Sequence, residues 1–209
     1  MLVQSELGKF DFLKKMALEL GASDAAVIPA SRIVVENRVV LKCRVGCNNY
    51  GKTLTCPPYA PTAEEFRKVV GEYRYAMFMK FSSQAEVDQD LAKALAKNES
   101  EVDKGVLPRW QKFWADWKED KKKLLTAVLQ LEKAAMGKGY SMAIGLVSGM
   151  CQVCEKCNVE AGVCLHPTMR RFSEEAVGVN VHATAKNAGV SMKVPFEKKP
   201  ESFALLLVE

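Results

Sequence analysis

Seven cysteines in a chain of 209 residues fall into two tight groups, with a long cysteine-free stretch between them. Cys43, Cys47 and Cys56 form the first, and Cys151, Cys154, Cys157 and Cys164 form the second. Disulfides pair evenly and usually join distant elements. An odd number of clustered thiols, in a chain expected to occupy a reducing compartment, points instead to metal or redox chemistry.

The second group reads Cys151-Gln-Val-Cys154-Glu-Lys-Cys157, with Cys164 following after six residues. Three thiolates at successive three-residue steps can wrap one cuboidal iron–sulfur cluster, each reaching a different iron. The bacterial ferredoxin run C-x2-C-x2-C-x3-C-P shares these first three positions. Here the last interval is longer, and Pro167 stands three residues after Cys164 instead of one. Zinc is the main competitor, although zinc sites usually build from separated ligand pairs. Reduced structural or redox thiols are the remaining reading.

The first group, Cys43-x3-Cys47-x8-Cys56-Pro57-Pro58, has only three thiols. Its bland reading is a set of buried small hydrophobes, since free cysteine is often buried. The surrounding Gly46, Gly51, Pro57, Pro58 and Pro61 favour a ligand-bearing loop instead. Two arrangements are open: the three thiols hold a 4Fe–4S cluster of their own, or the groups exchange Cys56 and Cys164 as in two-cluster ferredoxins. Either way, seven thiols fall one short of eight, and one iron lacks a cysteine. That iron could act as a Lewis acid, or be capped by His166, a carboxylate or water. His166 beside Pro167 reads first as an ordinary loop histidine, and His182 as a packing or surface residue on a short helix. Seven thiolates and two oxidised clusters with 2+ cores would bring the formal charge from +5 to about +2. Lys42, Arg44, Lys52, Lys156, Arg170 and Arg171 are placed to offset the clusters or are simply solvated.

Two other motifs invite chemistry and are set aside. Gly46 to Thr53 matches the phosphate-loop pattern G-x4-G-K-T, but that motif needs a helix beginning at the lysine, and Pro57 and Pro58 forbid one. The aromatic residues from Trp110 to Trp117 keep helical spacing, so they read as a core or subunit face before a stacking site. Lys121, Lys122 and Lys123 read as the wet side of the same helix, with Lys121 inward only if it snorkels.

The elements that must position the thiols follow from periodicity. Phe10, Leu13, Ala17 and Leu20 form a helical stripe stopped by Gly21. Ala25 to Pro29, Ile33 to Val35 and Val39 to Leu41 carry strand-like β-branched content, with a turn near Glu36-Asn37. Thr62-Ala-Glu-Glu65 is a capping box opening a helix to about Val70. A strand is expected from Tyr75 to Phe81 and a polar helix over 84–98. A long helix opens at Pro108 and ends at Gly137 and Gly139. Tyr140 to Val147 is a buried strand that delivers the chain into the second cysteine group. Helices near 174–178 and 180–188 and a strand from Phe203 to Val208 complete the chain. The pattern predicts a single domain over 1–209, α+β or α/β, with a mixed sheet flanked by helices and each cysteine loop following a strand end. If those two strands are neighbours, the two groups lie close together.

Composition narrows the function classes. With 48% hydrophobic and 26% charged residues the chain is ordinary and globular, and it can bury a core without metals or disulfides. A charge of +5 is too small and dispersed to indicate nucleic acid. No apolar run is long enough to span a bilayer, and Glu6, Asp11 and Glu19 exclude a signal peptide at the N-terminus, so a cytoplasmic location is expected.

The stretch Cys43-Arg-Val-Gly-Cys47-Asn-Asn-Tyr-Gly-Lys-Thr-Leu-Thr-Cys56-Pro-Pro-Tyr-Ala-Pro-Thr62 resembles the signature of an uncharacterised family of predicted metal-binding proteins of methanogenic archaea and anaerobic bacteria. Cys151 to Asn158, Cys164-Leu-His-Pro167 and Arg170 to Val179 are similar to its second signature, and Leu131 to Tyr140 fits the segment before it. The likeness runs from about residue 20 to 195. The chain departs from the family pattern at Phe172, where a proline is common, which affects loop shape more than ligation. The resemblance implies metal binding, iron–sulfur in type, in an anaerobe; it does not supply an activity. Three functions are therefore carried forward. The first is a carrier with one or two 4Fe–4S clusters serving a redox or maturation partner. The second is an enzyme with an open iron on Cys43, Cys47 and Cys56, for sulfur transfer or low-potential reduction. The third is a zinc-stabilised interaction module.

Overall fold

The computed structural model describes residues 6–193 and 198–209; Met1 to Ser5, the start of the stretch read for a signal peptide, lie outside them. Four strands form one sheet in the order β1-β2-β4-β3: β1 Asp24–Pro29, β2 Tyr75–Ser82, β3 Ile144–Val147 and β4 Glu201–Val208. All three pairings are antiparallel, with Tyr75 opposite Val208 and Val147 opposite Ala204 fixing the register. The expectation of a mixed sheet is corrected here, while the α+β class stands. None of the segments joining paired strands acts as a parallel crossover, so the helices cover an antiparallel sheet.

Both faces of that sheet are buried. On one, Met77, Met79, Ala204 and Leu206 pack against Leu13 and Ala17 of α1 (Asp11–Glu19) and Leu124, Val128 and Leu131 of α5 (Leu107–Gly137). On the other, Ala76, Phe78, Leu205 and Leu207 meet Phe66 and Val70 of α3 (Ala63–Gly71) and Ala185 of α6 (Val181–Ala188). Side chains alternate across a strand, so a sheet covered on both sides needs continuous apolar strands, which explains Tyr75 to Met79 and Phe203 to Val208. Each fully buried Leu or Phe side chain stabilises this arrangement by about 1.5–3 kcal/mol. α5 lies close on β3 because residue 145 is glycine: a Cβ there would sit 2.1 Å from Cγ1 of Val128.

The expected helices at α1, α3 and α6 are present. The Thr62 capping box forms in both directions, and Gly189 ends α6 in the left-handed region. Other expectations change. Val39 to Leu41 lie in a helix, α2 (Asn37–Gly46), and Ile33 to Val35 contribute one isolated bridge, Val35 to Val179, instead of a strand. A strand must find a ladder partner for its backbone groups, whereas a helix satisfies them internally, and β-propensity is weak against that demand. The 84–98 helix shrinks to α4 (Gln89–Ala94), because Asp88 caps it by accepting from the Leu91 amide at 2.8 Å. The strand expected from Tyr140 begins at Ile144. The 174–178 segment is a turn with Gly178 at φ +89, not a helix. The Trp110–Trp117 stripe packs as read: Phe113 is buried against Ala85, Val87 and Leu91, and Trp110 donates to the Ala94 carbonyl. Among the described residues, no helix is long and apolar enough to cross a membrane.

Candidate metal centre

The second cysteine loop leaves the sheet and returns to it at one point. The Val147 amide donates to the Phe172 carbonyl at 3.0 Å, and the Glu174 amide donates back to Val147 at 3.0 Å. Between these bonds the chain runs out through all four cysteines of the group. Arg171 closes the loop by forking onto the buried carboxylate of Glu132 on α5, with Nε donating to Oε1 at 2.5 Å and Nη2 to Oε2. Glu132 Oε1 also accepts from the Gly145 amide at 2.6 Å, so one carboxylate ties helix, strand and loop together.

The first loop reaches the same place from the other side. Ahead of α2, the Glu36 amide donates to Gly178 and the Asn180 amide donates to Val34, both at 2.8 Å. Asn180 Nδ2 adds a bond to Glu36 Oε2, also at 2.8 Å. Cys43 thus sits on α2, Cys47 follows its last residue, and Cys56 lies in the turns beyond. The expectation that this group follows a strand is corrected: it follows a helix, for the reason given for Val39 to Leu41. The second group does follow β3. Gly51, at φ +71, turns the chain back and donates to the Pro57 carbonyl at 2.9 Å. No helix begins at Lys52, so the phosphate-loop match has no structural counterpart.

The seven thiols divide by group between two adjoining cavities. Cys151, Cys154, Cys157 and Cys164 line one of about 210 Å³, together with Thr53 to Thr55 of the first loop. Cys43, Cys47 and Cys56 line another of about 650 Å³, together with Ser173 and Glu175. Asn49 and Met150 belong to both walls. Among the described residues, no three His, Cys, Asp or Glu side chains converge as a ready site for a single metal ion. His166 and His182 are exposed and line neither cavity; the His166 carbonyl accepts from the amides of Met169 and Arg170 in a turn.

Burial pushes up the thiols of Cys43, Cys56 and Cys151. Neighbouring Cys47 and Glu175 push Cys43 further, while the hydroxyls of Thr53 and Thr55 act the other way on Cys56. A cation that replaces these protons removes the penalty, because thiolates are the ligating form. Lys52, Lys156 and Arg170 line the four-thiol cavity and Lys42 the three-thiol one, so positive charge lies where thiolates would gather.

Four further groups escaped the sequence reading. Glu132 is one. Lys121, read as wet, is buried, with Nζ donating to Ser148 Oγ at 2.6 Å and Ser202 Oγ at 2.8 Å. Burial drives its pKa down to about 8, against the pull of Glu175, Glu174 and Asp120. Glu174 is wholly buried and its carboxyl is pushed well above the usual range, by burial first and then by Glu175. Glu175 holds one oxygen, Oε2, buried without a hydrogen-bond partner among the described residues. The cue was two adjacent carboxylates inside the apolar run Phe172 to Val179, where a helix is expected and a turn is found.

No curated protein and no solved structure matches this chain. A family model matches residues 26–208, a span that includes all seven cysteines, both cavities and the four strands apart from the first two residues of β1. The thiol-lined cavities therefore lie within the region that defines the group, and the chain belongs to the predicted metal-binding protein family DUF2284.

Proposed function

We propose that this protein binds two iron–sulfur clusters and carries electrons to a partner protein in anaerobic redox metabolism or cofactor maturation. Cys151, Cys154, Cys157 and Cys164 would hold one cluster, and Cys43, Cys47 and Cys56 the other. The observation that carries this reading is the division of seven thiols, four and three, between two cavities that share a wall. Thiols set around the wall of a cavity suit a polynuclear group several ångströms across, in which each thiolate meets a different iron. The donor set fits as well, being all soft sulfur with lysines and arginine nearby. When bound, such a group supplies one-electron chemistry, and two in adjoining cavities supply a path for an electron between them.

A second reading is favoured by the size of the three-thiol cavity, about 650 Å³ against about 210 Å³. That space would let a small substrate approach the metal, making the protein an enzyme for sulfur transfer or low-potential reduction. Analysis of oxygen-protected protein tests both readings. About seven to eight irons with matching sulfide per chain and a brown chromophore are expected. Colourless protein with stoichiometric zinc would replace both with the interaction module. A shift in the reduced EPR spectrum on adding a small thiol or anion would favour the enzyme over the carrier.

A further inference from the structure

Among the described residues the three-thiol cavity has no fourth thiol; Met150 brings only a neutral thioether, a weak donor, and the lining supplies one other anionic donor. Of the side chains with nitrogen or oxygen that face it, Lys42 is a cation, while Asn48, Asn49, Tyr50 and Ser173 are neutral. The remaining one is Glu175. We infer that the carboxylate of Glu175 is the non-cysteine ligand that completes the metal site of Cys43, Cys47 and Cys56. The inference rests on the two-cluster reading above and names the group that this reading leaves open.

Three observations carry it. Glu175 Oε2 is buried without a hydrogen-bond partner among the described residues, as are both oxygens of Glu174, but of the two only Glu175 lines the three-thiol cavity, where a metal cation would relieve that cost. The buried cation nearby, Lys121, directs its Nζ to the hydroxyls of Ser148 and Ser202. The backbone that presents Glu175 is also held on both sides. Ser173 bridges to Val147 of β3, and its Oγ accepts from the Ala176 amide at 3.1 Å. The Glu175 carbonyl accepts from Gly178 at 3.1 Å, and the Gly178 carbonyl in turn accepts from Glu36, at the foot of the helix that carries Cys43. The carboxylate and the first thiol are thus positioned by one hydrogen-bonded junction, the preorganisation a metal site needs. His166, the nearest histidine to a cysteine in sequence, is exposed on the far loop and lines neither cavity.

The test uses the full chain reconstituted with iron and sulfide without oxygen, comparing wild type, Glu175→Gln, Glu175→Cys and the adjacent control Glu174→Gln. Iron and sulfide per chain, EPR of the oxidised and reduced forms, and far-ultraviolet circular dichroism are measured. Glu175→Gln is expected to lose about one iron per chain, converting a four-iron site to a three-iron one with its own EPR signal in the oxidised form. Glu175→Cys is expected to regain that iron with a spectrum different from wild type. A residue that merely supported the fold would not produce that rescue. Glu174→Gln is expected to keep the wild-type iron content and line shape. A Glu175→Gln protein with wild-type iron and unchanged spectra would overturn the ligand assignment while leaving two clusters standing. If Glu175→Gln fails to fold, Glu175→Cys decides: a wild-type spectrum there overturns the assignment. Wild-type protein that takes up no iron and sulfide would overturn the cluster reading and this inference together.

Discussion

The backbone amide of Leu54 donates to Sγ of Cys157 at 3.4 Å, so a loop from the first cysteine group hydrogen-bonds directly to a thiol of the second. The two residues are 103 positions apart. Amides aimed at a ligating sulfur draw charge from it and help to set the potential of whatever the sulfur holds. The bond also means that the four-thiol cavity is not built by its own loop alone.

Despite that contact, the thiols stay divided by group, and serine substitutions should show it. Cys151→Ser, Cys154→Ser or Cys157→Ser is expected to remove about half of the bound iron, and Cys43→Ser or Cys47→Ser the other half. A variant from each group combined should remove nearly all. Metal analysis after anaerobic reconstitution checks this, and single substitutions that each empty the whole protein would show one shared site instead of two.

The fork from Arg171 to Glu132 is the main clamp on the second loop, with side chains 15% and 7% exposed. Removing one partner leaves a buried charge unpaired, which typically costs about 3–5 kcal/mol. Arg171→Met should lower the urea midpoint accordingly and weaken metal retention in the four-thiol cavity. Arg171→Met combined with Glu132→Leu should recover part of the loss, because an apolar pair buries no charge. Denaturation curves of the three variants measure the coupling directly.

Lys121 predicts a pH dependence. Its folded pKa of about 8 lies below the ordinary 10.5, so the unfolded chain binds the proton more tightly. The resulting penalty, about 3 kcal/mol, is fully present below pH 8 and is relieved as pH rises from about 8 toward 10.5. Lys121→Met loses the bonds to Ser148 and Ser202 at every pH but also loses this slope. The stability of wild type relative to Lys121→Met is therefore expected to increase across that window, measured by urea unfolding of metal-free protein. A constant difference would show that Lys121 is hydrated in solution.

Gly178 holds the Glu175 turn against α3. A Cβ there would lie 2.5 Å from Cβ of Ala63, at a φ of +89 that side chains rarely adopt. Gly178→Ala is expected to destabilise by about 1–3 kcal/mol and, on the ligand assignment proposed for Glu175, to lower the iron retained by the three-thiol cavity. Adding Ala63→Gly should relieve the clash but not the backbone strain, so partial recovery of the melting temperature is the expected result.

Local patterns were legible where a segment's own residues decide its structure. The Thr62 capping box, the glycine stop at 189, the long helix after Pro108 and the apolar strands β2 and β4 each follow from short-range rules. Val39 to Leu41, three apolar residues of which two are β-branched, suit a strand in isolation, and only the absence of a ladder partner makes them helical. Lys121 is buried although helical periodicity puts it with Lys122 and Lys123 on a wet face, because the structure covers it with other elements.

By itself the sequence determined that seven thiols lie in two clusters with ligand-like spacing, since identity and separation along the chain are enough to limit the chemistry. It could not say whether the clusters meet, how the thiols divide between cavities, or which carboxylate lines the three-thiol one. Tertiary structure decided those points: the turn at Ser173 to Gly178 bonds to Val147 of β3 and to Glu36 at the start of α2, Leu54 bonds to Cys157, and no local pattern encodes contacts between residues so far apart in the chain.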